Sequence, residues 1–263
     1  MYDEGSMIHQ TAIIDPGAQI SADVEIGPYS IIGKSVSIGS GTRIGAHAVI
    51  TGKTSIGENN HIYHHVSLGE QPQDKKYMDE ETGLEIGDDN VIREFCSFNT
   101  GTVQDKGKTV VGNRNWVMAY VHIAHDCIVG DDVILANCTQ LAGHVEVGDF
   151  AMLGGFTGVH QFCRVGAHAL TGVGSVVLSD VPPYVTCNGD SAKPHGINAE
   201  GLKRRGFGQE TIRTIRQAYK VLYRSSLSLE EAKEKICHMA KDSSEVKIVW
   251  DFLSSNLSRS IIR

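Results

Sequence analysis

The 263-residue sequence has no long uninterrupted apolar run, few aromatic residues and no surplus of positive charge. The first absence excludes a membrane-spanning helix, which needs about 20 consecutive apolar residues. A formal net charge of -7 argues against general nucleic-acid binding, which depends on basic groups to neutralise phosphates. Six cysteines are present but none in a CxxC spacing. An N-terminus carrying Asp3 and Glu4, with a regular pattern starting at Ile8, leaves no room for a signal peptide, so a cytoplasmic location is expected. Reduced, structural cysteines follow from that location.

What the chain has is a beat. An Ile, Leu, Val or Phe falls on almost every sixth residue: from Ile8 to Leu68, again from Ile86 to Phe98, and again from Val111 to Val177, with Thr171 the one polar exception. A period of six is neither helical nor a simple strand alternation, and it marks a repeating supersecondary unit, the parallel β-helix. Four residues after each anchor comes a small or β-branched residue, among them Ala48, Cys96, Cys127, Thr139 and Cys163. Two inward positions per hexad make a narrow, filled tube, which fits the low aromatic content and the 29 glycines. Glycine often follows the anchor, as at Gly27, Gly45, Gly130 and Gly148, where a sharp bend between strands would call for it. Three hexads close one triangular coil, and coils stack at about 4.8 Å.

The beat breaks twice and then ends. Polar loops are expected near residues 69–85 and 99–110, and long excursions from a repeat are more often functional than not. After Val177 the run Asp180-Val-Pro-Pro is expected to stop the ladder, since proline cannot donate to it. Helical spacing follows: Ile212, Ile215, Tyr219 and Leu222, then a capping box Ser228-Leu-Glu-Glu231 opening Leu229, Ala232, Lys235 and Ile236, then Val246, Val249, Trp250, Leu253 and Leu257. The expected division is a β-helix over 1–190 and a small α-helical domain over 191–263, whose apolar stripes are its packing face or a surface for a partner.

A coil of 18 residues turns spacing into adjacency. His125, Gly143 and Gln161 lie 18 apart in unbroken hexads, as do Asp126, His144 and Phe162. None is at an inward position, so they are expected on the outer surface, near His122 and His160. Four histidines along one edge support either a general base, for which neutral imidazole is suited, or a zinc site built from neighbouring subunits, or nothing at all. Gly143 is either a bend residue or a place where a bare backbone N–H can approach an oxyanion. Lys203-Arg-Arg205 is either a solvated basic turn or a site for an anionic ligand.

The runs His122-Ile-Ala-His-Asp-Cys127, Leu141-Ala-Gly-His144, Val159-His-Gln-Phe162, Gln73-Asp-Lys-Lys-Tyr77, Asp180-Val-Pro-Pro-Tyr184 and Asn198-Ala-Glu-Gly-Leu-Lys-Arg-Arg-Gly-Phe207 together closely resemble the UDP-N-acetylglucosamine O-acyltransferases of lipid A biosynthesis. The resemblance covers essentially the whole chain. It implies a left-handed prism, a homotrimer with sites between neighbouring prisms, and transfer of an (R)-3-hydroxyacyl group from acyl carrier protein to the 3-hydroxyl of UDP-N-acetylglucosamine. The donor is the phosphopantetheine thioester of that protein, and no cofactor or metal is implied.

By the same resemblance, His125 is the general base, Asp126 orients it and the Gly143 N–H faces the oxyanion. Asp74 and Lys76 would contact substrate across the subunit boundary, while His122, His144, His160 and Gln161 would line the sugar and acyl sites. Asn198, Glu200, Arg204 and Arg205 would hold the nucleotide, and Val173 would stop the acyl chain. One position departs: many members have histidine where this chain has Asn99, which puts in doubt any assisting role there and the choice between a 3-hydroxyl and a 3-amino acceptor. The competing readings are a different hexapeptide-repeat transferase (N-acyl or acetyl transfer), a zinc hydratase of the same fold, and a non-catalytic scaffold.

Overall fold

The computed structural model describes residues 7–255 and 259–263; Asp3, Glu4 and Leu257 lie outside them. Strands mostly two to four residues long stack in parallel into three sheets, one per side of a prism, of nine, eight and ten strands among the described residues. The chain visits the sides in fixed order. Side one holds His122–Ile123 and Gln140–Leu141, side two Ile128–Val129 and Glu146–Val147, and side three Ile134–Leu135 and Met152–Leu153.

The six-residue period exists because two positions per side point inward. Ile50, Ile62, Leu68, Ile92, Phe98, Ile123, Leu135, Leu141 and Leu153 are 0 % exposed, and each such side chain contributes about 1.5–3 kcal/mol when fully buried. Ile8, Ile14 and Ile20 are only half-buried, because they belong to the first coils. Thr171 is as buried as the residues it replaces: its Oγ1 accepts from Gly154 N at 3.0 Å and meets Thr157 Oγ1 at 2.8 Å, so nothing polar is stranded. Cys96 and Cys127 sit inside the tube, where burial pushes each thiol up to about 12.

Glycine after the anchor serves a different purpose from bending. Gly27, Gly45, Gly130 and Gly148 are not in the left-handed region; a Cβ on Gly27 would lie 2.7 Å from Ala46 N, and one on Gly45 2.6 Å from His64 N in the next coil. Close coil stacking requires them. The left-handed corners are instead occupied by larger residues, such as His47, His65, Phe95 and Tyr120, whose rings stack coil upon coil at 4.8–5.3 Å. That stacking offsets a backbone conformation costing about 1–3 kcal/mol for a non-glycine residue.

The two prolines do not end the ladder. Val181 bridges Val165, and the strand Val185–Asn188 then adds a parallel rung against Leu170–Thr171, because Pro182 and Pro183 sit in the turn between them. Lys193–Ile197 folds back antiparallel on that last strand, pairing across the 190/191 division.

Among the described residues four helices follow: α1 (Ala199–Arg204), α2 (Gln209–Tyr223), α3 (Leu229–Met239) and α4 (Ser244–Ser254). The capping box at Ser228 and Glu231 forms as the sequence suggests, whereas Lys235 faces solvent and α1, a six-residue helix, had no stripe long enough to announce it. Arg164 ties the helices to the prism. It pairs with the buried Asp180 at 3.0 Å, donates to Phe252 O and Ser255 Oγ, and stacks on the Phe252 ring.

Candidate active site

The prism has three corners, and both loops leave from the same one. Residues 71–82 and 100–107 replace the short turn between sides one and two, and the next coils place 124–127, 142–145 and 160–163 at that corner. The loops therefore stand beside His125 and His144.

Asp126 is not on the surface. It is 0 % exposed, because the second loop lies on it: Thr102 donates its N–H to both carboxylate oxygens at 3.0 Å and its hydroxyl to Oδ2 at 2.6 Å. His125 Nδ1 meets the same Oδ2 at 3.0 Å. Burial alone would raise this carboxyl, but the bonds from His125 and Thr102, with His144 close by, hold it below the ordinary aspartate value. An ionised carboxylate only accepts, so Nδ1 of His125 carries a proton, and in the neutral ring it is Nε2 that keeps the lone pair. The His125 side chain is 13 % exposed, enough to meet a reactant while the ring stays packed.

Gly143 lies directly against that ring. A Cβ there would fall 2.5 Å from His125 Cε1 and 2.6 Å from Nε2, and the φ of Gly143 is not left-handed. The bend does not need glycine here; the imidazole does. Among the described residues the Gly143 N–H meets no acceptor, while its carbonyl accepts from Phe162 N at 3.2 Å.

His144 stacks on Phe162 with ring centroids 4.3 Å apart and meets His125 edge-on at 4.9 Å. Gln161 follows one coil on and is exposed, and its carbonyl accepts from Arg259. His160 is half-buried beside it, with Nδ1 3.1 Å from Gln161 O. His122 faces outward from side one, its Nδ1 2.8 Å from Ser97 Oγ, and burial lowers its pKa. His125, Asp126 and His144 are also close enough to share a cation, with ligand atoms within 4.8 Å of one another. Asp126, however, already takes bonds from three donors, the Thr102 N–H, the Thr102 hydroxyl and His125 Nδ1, so a cation would have to displace them.

One chain does not gather the remaining candidates. Asp74 and Lys76 are in the first loop, where Asp74 Oδ1 accepts from the Lys76 N–H at 3.0 Å. Asn198 caps α1 at the corner between sides two and three: its Oδ1 accepts from Gly201 N and its Nδ2 donates to His168 O, so both ends of the amide are engaged. Glu200 pairs with Lys203, Arg204 is exposed, and Arg205 lies over the Phe150 ring. Val173, 79 % exposed, is on the third corner, at the far edge of side one from His125. Asn99 is buried and donates to Gln71 O at 2.9 Å, which fastens the start of the first loop, while its Oδ1 has no partner among the described residues.

Three residues that the spacing did not single out complete the cluster: Thr102, Asp105 and Lys106, all in the second loop. Asp105 Oδ2 is 2.6 Å from His144 Nδ1, and Lys106 Nζ reaches Asp126 O and Glu146 Oε1 at 3.3 and 3.2 Å. The phase slip in the repeat was their only signal.

Comparison with known proteins adds a second line of evidence. Residues 180–262 match the profile of domain 2 of UDP N-acetylglucosamine O-acyltransferase, and residues 108–143 that of the bacterial transferase hexapeptide, six repeats. The acyl-(acyl-carrier-protein)–UDP-N-acetylglucosamine O-acyltransferase of Thiobacillus denitrificans is 62 % identical over 256 residues, 97 % of this chain and 99 % of that protein. Two crystal structures superpose closely. UDP-N-acetylglucosamine O-acyltransferase of Moraxella catarrhalis matches with a TM-score of 0.96 at 44 % identity, over 98 % of this chain and 100 % of that one. The Acinetobacter baumannii structure matches with a TM-score of 0.95 at 47 % identity, again over 98 % and 100 %.

Proposed function

Because this chain belongs to the acyl-(acyl-carrier-protein)–UDP-N-acetylglucosamine O-acyltransferase family, with its left-handed β-helix and helical C-terminal domain, we propose that His125 is the general base of its reaction. The enzyme transfers an acyl group from acyl carrier protein to a hydroxyl of UDP-N-acetylglucosamine in lipid A biosynthesis. The observation that carries the base assignment is the pairing of His125 with a fully buried, ionised Asp126, beside an unused N–H at Gly143.

In our reading the acyl group is an (R)-3-hydroxyacyl chain and the acceptor is the 3-hydroxyl. His125 Nε2 takes the hydroxyl proton as the oxygen attacks the thioester carbon. The carbonyl oxygen becomes an oxyanion facing the Gly143 N–H. When the C–S bond breaks, the imidazolium returns its proton to the departing thiolate of phosphopantetheine. A positioned base contributes typically about 10²–10⁴ in rate, and one oxyanion donor about 10²–10³. No covalent enzyme intermediate is required, which fits Cys127, the cysteine next to Asp126, being fully buried with its thiol pushed up to about 12.

The candidates for holding the nucleotide and for limiting the acyl chain lie on two corners of the prism and the base on the third, which supports a site completed by a neighbouring copy in a homotrimer. There Arg204 and Arg205 would face the diphosphate, for which guanidinium suits both charge and geometry. Asn198 would contribute through the helix it caps. Among the described residues no helix is long and apolar enough to cross a membrane, and we assign the enzyme to the cytoplasm with its carrier-protein donor. The test is mass spectrometry of the product after incubating the protein with UDP-N-acetylglucosamine and a series of 3-hydroxyacyl carrier proteins. A mono-acylated nucleotide sugar bearing an ester is expected; an amide, or no acylated sugar, would overturn the reading.

A further inference from the structure

We propose that Asp105, in the second loop, is a positioning residue that acts through His144, giving the site a second aspartate–histidine pair beside Asp126 and His125. The proposal rests on the acyl-transfer reading above and assigns a function to a loop that the repeat pattern marks only as an interruption.

The geometry of His144 leaves one atom free. Its backbone N–H is bonded to His125 O at 3.0 Å, one ring face lies on Phe162, and its edge meets the His125 ring. Nδ1 is taken by Asp105 Oδ2 at 2.6 Å, across 39 residues of sequence. Among the described residues Nε2 has no partner. An ionised carboxylate accepts and never donates, so Asp105 selects the tautomer with the proton on Nδ1, in which the neutral ring presents Nε2 as an acceptor. Such an acceptor suits a hydroxyl or amide N–H of the acceptor sugar.

Asp105 is held where it is by its own loop. Thr102 is bonded to Asp126, and Lys106 reaches the Asp126 carbonyl and Glu146. The eight residues 100–107 are thus fastened at two points to the coils that carry both histidines. The His144 side chain is 13 % exposed against 38 % for Asp105, so the carboxylate lies on the solvent side of the ring it orients.

Removing the outer partner that orients a metal-ligating histidine typically costs about 10–100-fold, and the same orienting role is assigned here to a histidine that faces substrate. Asp105→Ala is expected to lower kcat/KM for UDP-N-acetylglucosamine by about that factor, with little change in KM for the acyl carrier protein. Asp105→Glu should recover part of the loss. Asp105→Asn should not, because its amide can donate as well as accept and no longer selects one tautomer.

The deciding measurement is a double-mutant cycle. In a His144→Ala background, Asp105→Ala should have no further effect. If it lowers activity as much there as in the native enzyme, Asp105 merely holds the loop and the proposal fails. Native kcat/KM in Asp105→Ala would also overturn it. Either failure is distinct from failure of the acyl-transfer reading, in which the native enzyme itself would yield no esterified UDP-N-acetylglucosamine.

Discussion

Gly143→Ala should inactivate the enzyme without unfolding it. The added Cβ would lie 2.5 Å from His125 Cε1 and 2.6 Å from Nε2. Carbon atoms in contact are ordinarily about 3.5–4.0 Å apart, so the imidazole must retreat by about 1 Å. A displacement of about 1 Å at a reacting group can cost about 100-fold, and the same methyl would crowd the Gly143 N–H. Stability should move little. The φ of Gly143 is open to alanine, which gains about 0.4–1 kcal/mol by restricting the unfolded chain, and the ring has solvent to move into. The assay is turnover by product mass together with a thermal melt. We expect kcat lower by about 100-fold and a melting temperature within about 4 °C of native. Unchanged turnover in folded Gly143→Ala would refute the claim that the bare backbone is needed where the imidazole lies. A large fall in melting temperature would refute the claim that the bend does not need glycine.

Three further outcomes follow. Val173→Gly should shift the preferred acyl chain to greater length and Val173→Met to shorter, since each buried methylene is worth about 0.8 kcal/mol until it meets a side chain; an optimum moved by neither variant would remove Val173 from the acyl groove. His168 is 7 % exposed and stacked between Phe150 and Tyr184, and burial lowers its pKa to about 4. Its unfolded form therefore binds the extra proton, and stability should be full above about pH 6.5 and fall as pH drops toward 4, by up to about 3 kcal/mol. His168→Phe should flatten that slope in denaturant titrations, and an unchanged slope would place its origin elsewhere. Prolonged treatment with a chelator should leave activity unchanged; a loss restored by zinc would assign a cation to His125, Asp126 and His144.

The prism was legible because its period is local. Two inward positions per hexad make the core residues readable one by one, and the 18-residue coil by itself places Gly143 and His144 beside His125 and Asp126. Contacts made by loops were not legible. Thr102 and Lys106 reach Asp126, and Asp105 reaches His144, across 20–39 residues with no period to register them, so Asp126 was expected at the surface and is buried. The glycines after the anchors were misread for a related reason. Period alone does not distinguish a residue that bends from one that admits the backbone of the next coil. Pro182 and Pro183 were read as a stop, yet they occupy a turn, where no ladder N–H is required. The capping of α1 by Asn198, whose amide also holds His168 O, is likewise a contact with no period to announce it.

The most direct test of His125 as the base is the turnover of purified His125→Ala, measured as acylated UDP-N-acetylglucosamine by mass spectrometry against the native enzyme, with matched thermal melts. A folded protein with turnover lower by about 10²–10⁴ is expected. A folded variant within a few-fold of native would contradict that role.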